Sequence, residues 1–353
     1  MLKIIPNASL LPYNTFGMDV RAALLAEYDS SEELRHLLHT PEVTQLMDQE
    51  RQAGRLPFWH IGSGSNLLFR GDYPGVVLHC SSRGIEPVSD ACSSADDEGT
   101  CLLEVQAGTL WDDVCDYCAQ HGLYGPENLS LIPGEAGAAA VQNIGAYGVE
   151  IKDLIERVVT WDVETDCQHT FTAGDMQYAY RDSLLKHPEA KARYVVTSIL
   201  LRTHRQPSLH LEYAGLKAAL EHDEPTLQEV RQAIIRIREG KLPDPKVLGN
   251  AGSFFKNPVV DNTVYDRIAA EYPGMPHDKV DDTHTKIPAG WLIEQCGWKG
   301  RSLGNAGVYE KQSLVLVNRG GARPEEIIRL CETVIEDVDL RFGIRIEPEV
   351  NMI

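Results

Sequence analysis

Apolar residues along this chain recur at two spacings, and each switch between them marks a change of element. Ser30 and Glu33 form a capping box ahead of Leu34, Leu37 and Leu38, which share one side of a predicted helix. Short apolar runs at residues 58–61, 76–78 and 102–105 predict strands. The polar stretch 86–100, rich in Ser, Asp and Glu, reads as a mobile surface insertion. Thr109 is placed to cap a helix carrying Val114 and Cys118, and residues 157–164 and 194–202 have the Val, Ile and Thr content of strands. Past Thr203 the texture changes at His204-Arg205-Gln206-Pro207, before a helix capped by Thr226 and Glu229 with the stripe Leu227, Val230, Ile234 and Ile237. A strand at 314–318 then leads to Pro324, which opens a long helix (Ile327, Cys331, Val334, Val338) that Gly343 stops. Residues 344–350 alternate Ile344 and Ile346 with Arg345, Glu347 and Glu349, predicting a last strand. The fold class that follows is α+β. At 353 residues the chain needs two or three cores, and the change of texture divides it into 1–204 and 205–353.

Charge narrows the partners. A net charge of −19 repels phosphate, which argues against nucleic acid and anionic membrane as general partners, so a phosphorylated ligand needs a local cationic pocket. The first residues are too short an apolar run for a signal peptide, and no segment reaches membrane-spanning length, which makes a cytoplasmic location the default expectation. Eight cysteines, at 80, 92, 101, 115, 118, 167, 296 and 331, are dispersed and expected to be reduced. Cys115 and Cys118 have the spacing of a metal or redox pair, but a second pair is missing and both lie in a helical pattern, so core thiols are the favoured reading and no metal is expected.

The densest candidate chemistry is Gly249-Asn250-Ala251-Gly252-Ser253-Phe254-Phe255-Lys256-Asn257-Pro258. Its glycines allow a backbone that pushes Ser253 toward a ligand, and without a partnered histidine the hydroxyl is a better proton donor than nucleophile. A glycine-rich turn ended by Pro258 accounts equally well for the same ten residues. Gly62-Ser63-Gly64-Ser65-Asn66-Leu67 follows a predicted strand and offers backbone N–H groups to a phosphate, although it is neither a dinucleotide fingerprint nor a P-loop, and an ordinary turn explains it as well. Pro133-Gly134-Glu135-Ala136-Gly137-Ala138 and Asn143-Ile144-Gly145-Ala146-Tyr147 carry mostly small side chains. This second cluster admits a large flat anionic ligand of the flavin dinucleotide kind, and together with the Gly62 loop it favours a cofactor over two accidental turns. Arg181, beside Tyr180, has the planar fork that grips a carboxylate, against the plainer reading of a surface ion pair with Asp182. Glu349 reads as a solvated edge acid, and Arg238 and Lys241 as diphosphate-binding charges or simple helix-end charges.

Taken in order, these segments resemble the UDP-N-acetylenolpyruvoylglucosamine reductase family of bacterial peptidoglycan synthesis. The resemblance runs through Asn14-Thr15-Phe16-Gly17, Gly62 to Leu68, Ile132-Pro133-Gly134, Gln142 to Gly148, Tyr180-Arg181-Asp182-Ser183, Lys241 to Lys246, Gly249 to Pro258, Ala289 to Ile293 and Glu347-Pro348-Glu349-Val350. It covers nearly the whole chain, in the form with a tyrosine loop over the sugar nucleotide. The resemblance implies an FAD-binding region of the vanillyl-alcohol-oxidase/PCMH type over 1–204, in two α+β subdomains of about 1–75 and 76–204. A C-terminal α+β substrate domain would follow, its last helix and strand packing back on the first region. It implies non-covalent FAD, NADPH as co-substrate and UDP-N-acetylglucosamine-enolpyruvate as substrate, in a cytoplasmic monomer.

By the same resemblance Ser253 donates a proton, and Arg181 and Glu349 stand beside the substrate carboxylate. The cofactor set is Gly62, Ser63, Gly64, Ser65, Asn66, Leu67, Pro133, Gly134, Gly137, Ala138, Asn143, Gly145, Ala146 and Tyr147. Tyr180, Tyr213, Arg238, Lys241, Asn257 and Gln312 are expected to contact substrate. The chain departs from the family pattern in the cluster Gly62-Ser63-Gly64-Ser65, where a third glycine is common, at Ala140, where proline is frequent, and at Asn351, where a basic residue is frequent. The alternatives are another flavin oxidoreductase of the same superfamily and a non-catalytic nucleotide-sugar binding protein.

Overall fold

The computed structural model describes residues 2–88, 99–213 and 215–353, so most of the expected insertion at 86–100 lies outside the described residues. Two compact units are present. The first comprises Met1–Ser9, Arg21–Ser63 and Tyr73–Gly240; the second comprises Leu10–Val20, Gly64–Asp72 and Lys241–Ile353.

In the first unit a four-stranded sheet runs in the order Lys3–Ser9, Arg21–Tyr28, Tyr73–Cys80, Phe58–Ile61. The first pair is antiparallel and the other two are parallel, which requires a crossover. Helices Ser31–Leu38 and Pro41–Gln52 supply it, burying Leu34, Leu37, Val43 and Met47. Tyr73–Cys80, paired on both edges, is an unbroken buried run from Val76 to Cys80, as a parallel central strand should be. A second, antiparallel sheet has the order Cys167–Thr172, Ile155–Asp162, Tyr194–His204, Thr100–Gln106, Ile85–Pro87. Thr100–Gln106 alternates, burying Cys101, Leu103 and Val105. These residues share one core with Trp111, Val114, Cys115 and Ile199.

The second unit is built on an antiparallel sheet of Gly249–Ser253, Val315–Asn318, Ala306–Val308 and Ser302–Leu303. Helix Pro324–Phe342 buries Ile327, Cys331, Val334 and Val338, and Gly343 ends it at φ +67°. Val259–Asp261, His284–Lys286 and Asp278–Lys279 form a small sheet, and Asn351–Met352 pairs in parallel with Leu67–Leu68. No helix among the described residues is long and apolar enough to cross a membrane.

Three local expectations are corrected. Thr109 does not cap the helix Trp111–Gln120, whose N-cap is Leu110; its hydroxyl bonds the Gly84 N–H and carbonyl, each at 3.1 Å. Residues 344–347 keep the predicted alternation of burial but form no strand, and the last strand is Asn351–Met352. Cys101 is disulfide-bonded, whereas Cys80, Cys115, Cys118, Cys167, Cys296 and Cys331 are free thiols. Burial pushes the Cys118 thiol up to about 12, in keeping with a core role.

Candidate active site

In the first unit the side chains gather around a two-residue tip. Ala179 and Asp182 exchange backbone hydrogen bonds at 3.1 Å, leaving Tyr180 and Arg181 at the turn, with Arg181 left-handed at φ +55°. The Arg181 guanidinium donates to the carbonyls of Asn143 (3.3 Å) and Gly145, and its carbon lies 5.2 Å from the Tyr180 ring centroid. A Cβ on Gly145 would come within 2.7 Å of Arg181 Nη1, so the glycine makes room for the guanidinium. Lys186 Nζ donates to the Arg181 carbonyl at 2.8 Å.

A second group forms close to this tip. Tyr147, also left-handed at φ +50°, meets the Tyr213 ring edge to face, and its hydroxyl interacts electrostatically with Arg238. Burial holds the Arg238 guanidinium below its ordinary value, and the Tyr147 hydroxyl opposes that shift. Arg238 Nε also donates to the Leu131 carbonyl at 3.3 Å. Asn128, which no motif singled out, joins this group: its fully buried amide donates to the carbonyls of Tyr147 at 2.9 Å and His210 at 2.8 Å.

The small-residue segments form a wall open at the backbone. Pro133 and Ala138 are exposed, while Gly137 packs so closely that a Cβ there would come 2.8 Å from that of Ala107. Gly62 follows the strand Phe58–Ile61, and a Cβ on it would lie 3.4 Å from Ala138 and 3.0 Å from Glu135 Oε2. With Ser63, Gly134 and Ala146 half-buried beside them, these positions leave the backbone free of bulky side chains, which fits a large flat dinucleotide such as FAD. Asn143 fits that list differently. It is fully buried, and its amide is committed to Ala179 O at 2.8 Å and Glu150 Oε2 at 3.2 Å. Its side chain is thus engaged with protein partners on both sides of the loop.

Beneath the wall lies a buried ionic chain. His79 bridges Glu27 (3.1 Å) and Glu135 (3.3 Å), and Lys3 caps Glu27 at 2.7 Å. Burial disfavours the imidazolium, but Glu135 and Glu27 outweigh it and raise His79 above its ordinary value.

In the second unit Ser253 is exposed at the end of the strand Gly249–Ser253, just after Gly252 at φ +68°. Asn250 braces that strand: its Nδ2 donates to Leu248 O (2.8 Å) and Pro243 O (3.2 Å), and its Oδ1 accepts from Gly252 N at 2.9 Å. Thr15 closes the brace through its hydroxyl, 2.6 Å from Asn250 O. Phe254 N donates to Leu314 O at 2.7 Å, and Phe254 O accepts from Glu349 N at 2.8 Å. The residue after Ser253 is thus bonded directly to Glu349.

Asn66 is tied to the same segment, donating to Glu349 O at 3.4 Å and accepting from Asn351 N at 3.1 Å. Leu67 pairs with Asn351, while Ser65 is half-buried. Gly64 is left-handed at φ +70° and so close to Tyr13 that a Cβ would fall 1.9 Å from its carbonyl oxygen. Asn257 Oδ1 accepts from Ala289 N at 2.9 Å, at the start of the helix Ala289–Gln295. Gln312 Oε1 accepts from Leu314 N at 3.3 Å, and Lys241 is exposed at the end of the helix Leu227–Lys241.

A family model described as an FAD binding domain matches residues 39–165, and one described as the UDP-N-acetylenolpyruvoylglucosamine reductase C-terminal domain matches 244–353. The chain is 50% identical over 346 residues to the UDP-N-acetylenolpyruvoylglucosamine reductase of Bacteroides fragilis strain YCH46, covering 98% of each chain. The chain belongs to the UDP-N-acetylenolpyruvoylglucosamine reductase family. A Pseudomonas aeruginosa reductase of the same name is 43% identical over 354 residues, with 99% of each chain covered. The crystal structure of the Thermus caldophilus reductase superposes with a TM-score of 0.65 at 23% identity, over 100% of this chain and 98% of that one, and shows the shared fold. The reductase family thus accounts for both halves of the chain. Glu150 and Asn128 are the site neighbours that sequence reasoning missed; neither stands at a spacing that signals a role.

Proposed function

We propose that Ser253, Arg181 and Glu349 divide the chemistry of the reaction this reductase performs, the NADPH-dependent reduction of UDP-N-acetylglucosamine-enolpyruvate to UDP-N-acetylmuramate through FAD in peptidoglycan synthesis. Bound along the Gly62 and Gly134–Ala138 segments, FAD would supply the transfer of hydride from NADPH to the β-carbon of the enolpyruvyl double bond. The electron pair of that bond moves toward the α-carbon and its carboxylate, where an enolate-like charge develops. Ser253 Oγ–H then donates the proton that forms the new α-carbon C–H bond, so one hydride and one proton are consumed for each double bond reduced. Arg181 counters the developing negative charge with its planar fork, and Glu349 orients the carboxylate end and shares a proton there.

The observation that carries this reading is the bonding of Phe254 to Glu349, which sets the exposed hydroxyl of Ser253 one residue from a backbone hydrogen-bond partner of the acid. The small-residue wall at Gly62, Gly134, Gly137 and Ala138 serves FAD in this reading, with the left-handed Tyr147 beside it. Tyr180, Tyr213, Arg238, Lys241, Asn257 and Gln312 contact the sugar nucleotide or nicotinamide. The two basic residues meet the phosphates that an acidic chain otherwise repels. The protein works in the cytoplasm as a monomer, without nucleic acid or membrane partners.

Purified protein should be yellow, bleach on adding NADPH and recover its flavin spectrum on adding UDP-N-acetylglucosamine-enolpyruvate. Colourless protein that does neither would overturn the reading. Co-sedimentation with anionic vesicles, or a dimer mass in solution, would overturn the statements about partners.

A further inference from the structure

Arg181 occupies a costly position. A left-handed backbone at a non-glycine residue is disfavoured by about 1–2 kcal/mol, so the tip holds its shape only if neighbours over-determine it. The neighbours converge from one hairpin, Gly145–Ala146 paired with Val149–Glu150, and from Asn143 and Lys152 on either side of it. Glu150 Oε2 accepts from Lys152 Nζ at 2.6 Å and from Asn143 Nδ2 at 3.2 Å, which fixes the rotamer of the carboxylate. Its other oxygen, Oε1, then faces Arg181 Nη1 at 4.0 Å. Asn143 carries the same arrangement to the backbone of the tip by donating to Ala179 O at 2.8 Å, and its own Oδ1 accepts from Lys152 N at 3.2 Å. Both ends of the arginine are addressed: the guanidinium by Glu150 and the carbonyls of Asn143 and Gly145, the backbone turn by the Asn143 side chain.

We infer that Glu150, held by Lys152 and Asn143, is a positioning residue that aims the Arg181 guanidinium at the substrate carboxylate. The inference rests on the role proposed for Arg181. Glu150 touches neither substrate nor flavin in this scheme. Its charge draws Nη1 to one side, so the guanidinium is oriented before substrate arrives and no reorientation is needed as charge develops. Lys152 neutralises much of the carboxylate, which keeps Glu150 from competing with the substrate for the arginine.

The test separates the two half-reactions by stopped-flow on the FAD-loaded protein. Glu150→Gln keeps the size and the Asn143 contact but removes the charge; it should slow substrate-driven reoxidation by roughly 10- to 100-fold, the range expected of a misaligned group. Flavin content and the rate of reduction by NADPH should stay at wild-type values. In an Arg181→Ala background the same substitution should add nothing, because its effect passes through the arginine. Glu150→Ala should behave alike, and Glu150→Asp should recover part of the rate. A wild-type reoxidation rate in Glu150→Gln, an equal fall in both half-reactions, or an additive fall in the Arg181→Ala background would each overturn the inference. Wild-type reoxidation by Arg181→Ala itself would instead overturn the catalytic role on which the inference rests.

Discussion

The rings of Tyr147 and Tyr213 meet edge to face, with centroids 5.4 Å apart and planes at 82°. The contact joins a glycine-rich loop to a segment 66 positions later, and Asn128 reinforces it by bonding the carbonyls of Tyr147 and His210. With each hydrogen bond worth about 1 kcal/mol, Asn128→Ala should raise the KM for the enolpyruvyl substrate roughly 10- to 30-fold. Reduction of the flavin by NADPH should be unaffected. Steady-state kinetics with varied substrate will show it, and an unchanged KM would mean that this contact does not serve substrate binding.

Ser253→Ala removes the proposed proton donor without disturbing Asn250, which braces the strand from within. Loss of a positioned acid should slow reoxidation by about 10²- to 10⁴-fold while leaving NADPH reduction intact. If stopped-flow traces show both phases slowed equally, Ser253 supports binding or folding and another group supplies the proton.

Gly64→Ala should be severely destabilising. The new methyl would overlap the Tyr13 carbonyl, and the residue would be held at φ +70°. A loss of about 2–4 kcal/mol is expected from strain and displacement together. Urea denaturation read by intrinsic fluorescence will measure it. Gly17→Ala provides the comparison: it is left-handed at φ +68° but meets nothing within 4 Å, so it should cost less.

Two histidines of the first unit, the buried His79 and the half-buried His60, should pull stability in opposite directions with pH. His79 faces Glu27 and Glu135, with Lys3, His60, Tyr28 and Cys80 around them, and its folded value is raised. Its stabilisation is complete below its unfolded value of about 6.5 and is lost as pH rises through the raised folded value. His79→Gln should therefore cost about 1–3 kcal/mol at pH 6 and less at pH 9. Burial, aided by His79, lowers His60 to about 3, so His60 stays neutral and its contribution is lost as pH falls from 6.5 toward that value. His60→Gln should narrow the gap to wild type between pH 7 and pH 4. Urea midpoints across pH will decide both signs, and a pH-independent difference would show that neither proton is linked to folding.

Much of the fold was legible where neighbours in sequence are neighbours in space. Thr226 and Glu229 bond each other as the capping pattern implies, and the stripe from Ile327 to Val338 is buried on one side of its helix. Thr109 was misleading because its hydroxyl finds Gly84, 25 residues away, instead of the helix it precedes. Residues 344–347 alternate like a strand, yet alternation only reports which side is buried; a strand also needs a hydrogen-bonding edge. The motif glycines pointed correctly to tight backbone. What periodicity could not supply was the surroundings of each reactive residue. Glu150 is 31 positions from Arg181, and Asn128 is 82 from His210, so only the folded chain introduces them.

The second unit is assembled from distant stretches of sequence. Thr15 bonds Asn250 across 235 positions, and Asn318 bonds Phe16 across 302. Residues 10–20 and 64–72 can bond each other early, Thr15 N to Gly64 O at 3.2 Å, but the rest of their unit is missing until the region beyond Lys241 has been synthesised, whereas the first sheet already has all its strands by Cys80. Loop closure over such spans is entropically slow. On the ribosome the Gly64 loop and the Asn14 turn emerge early and wait, and the braced Ser253 strand is among the last structures to be completed.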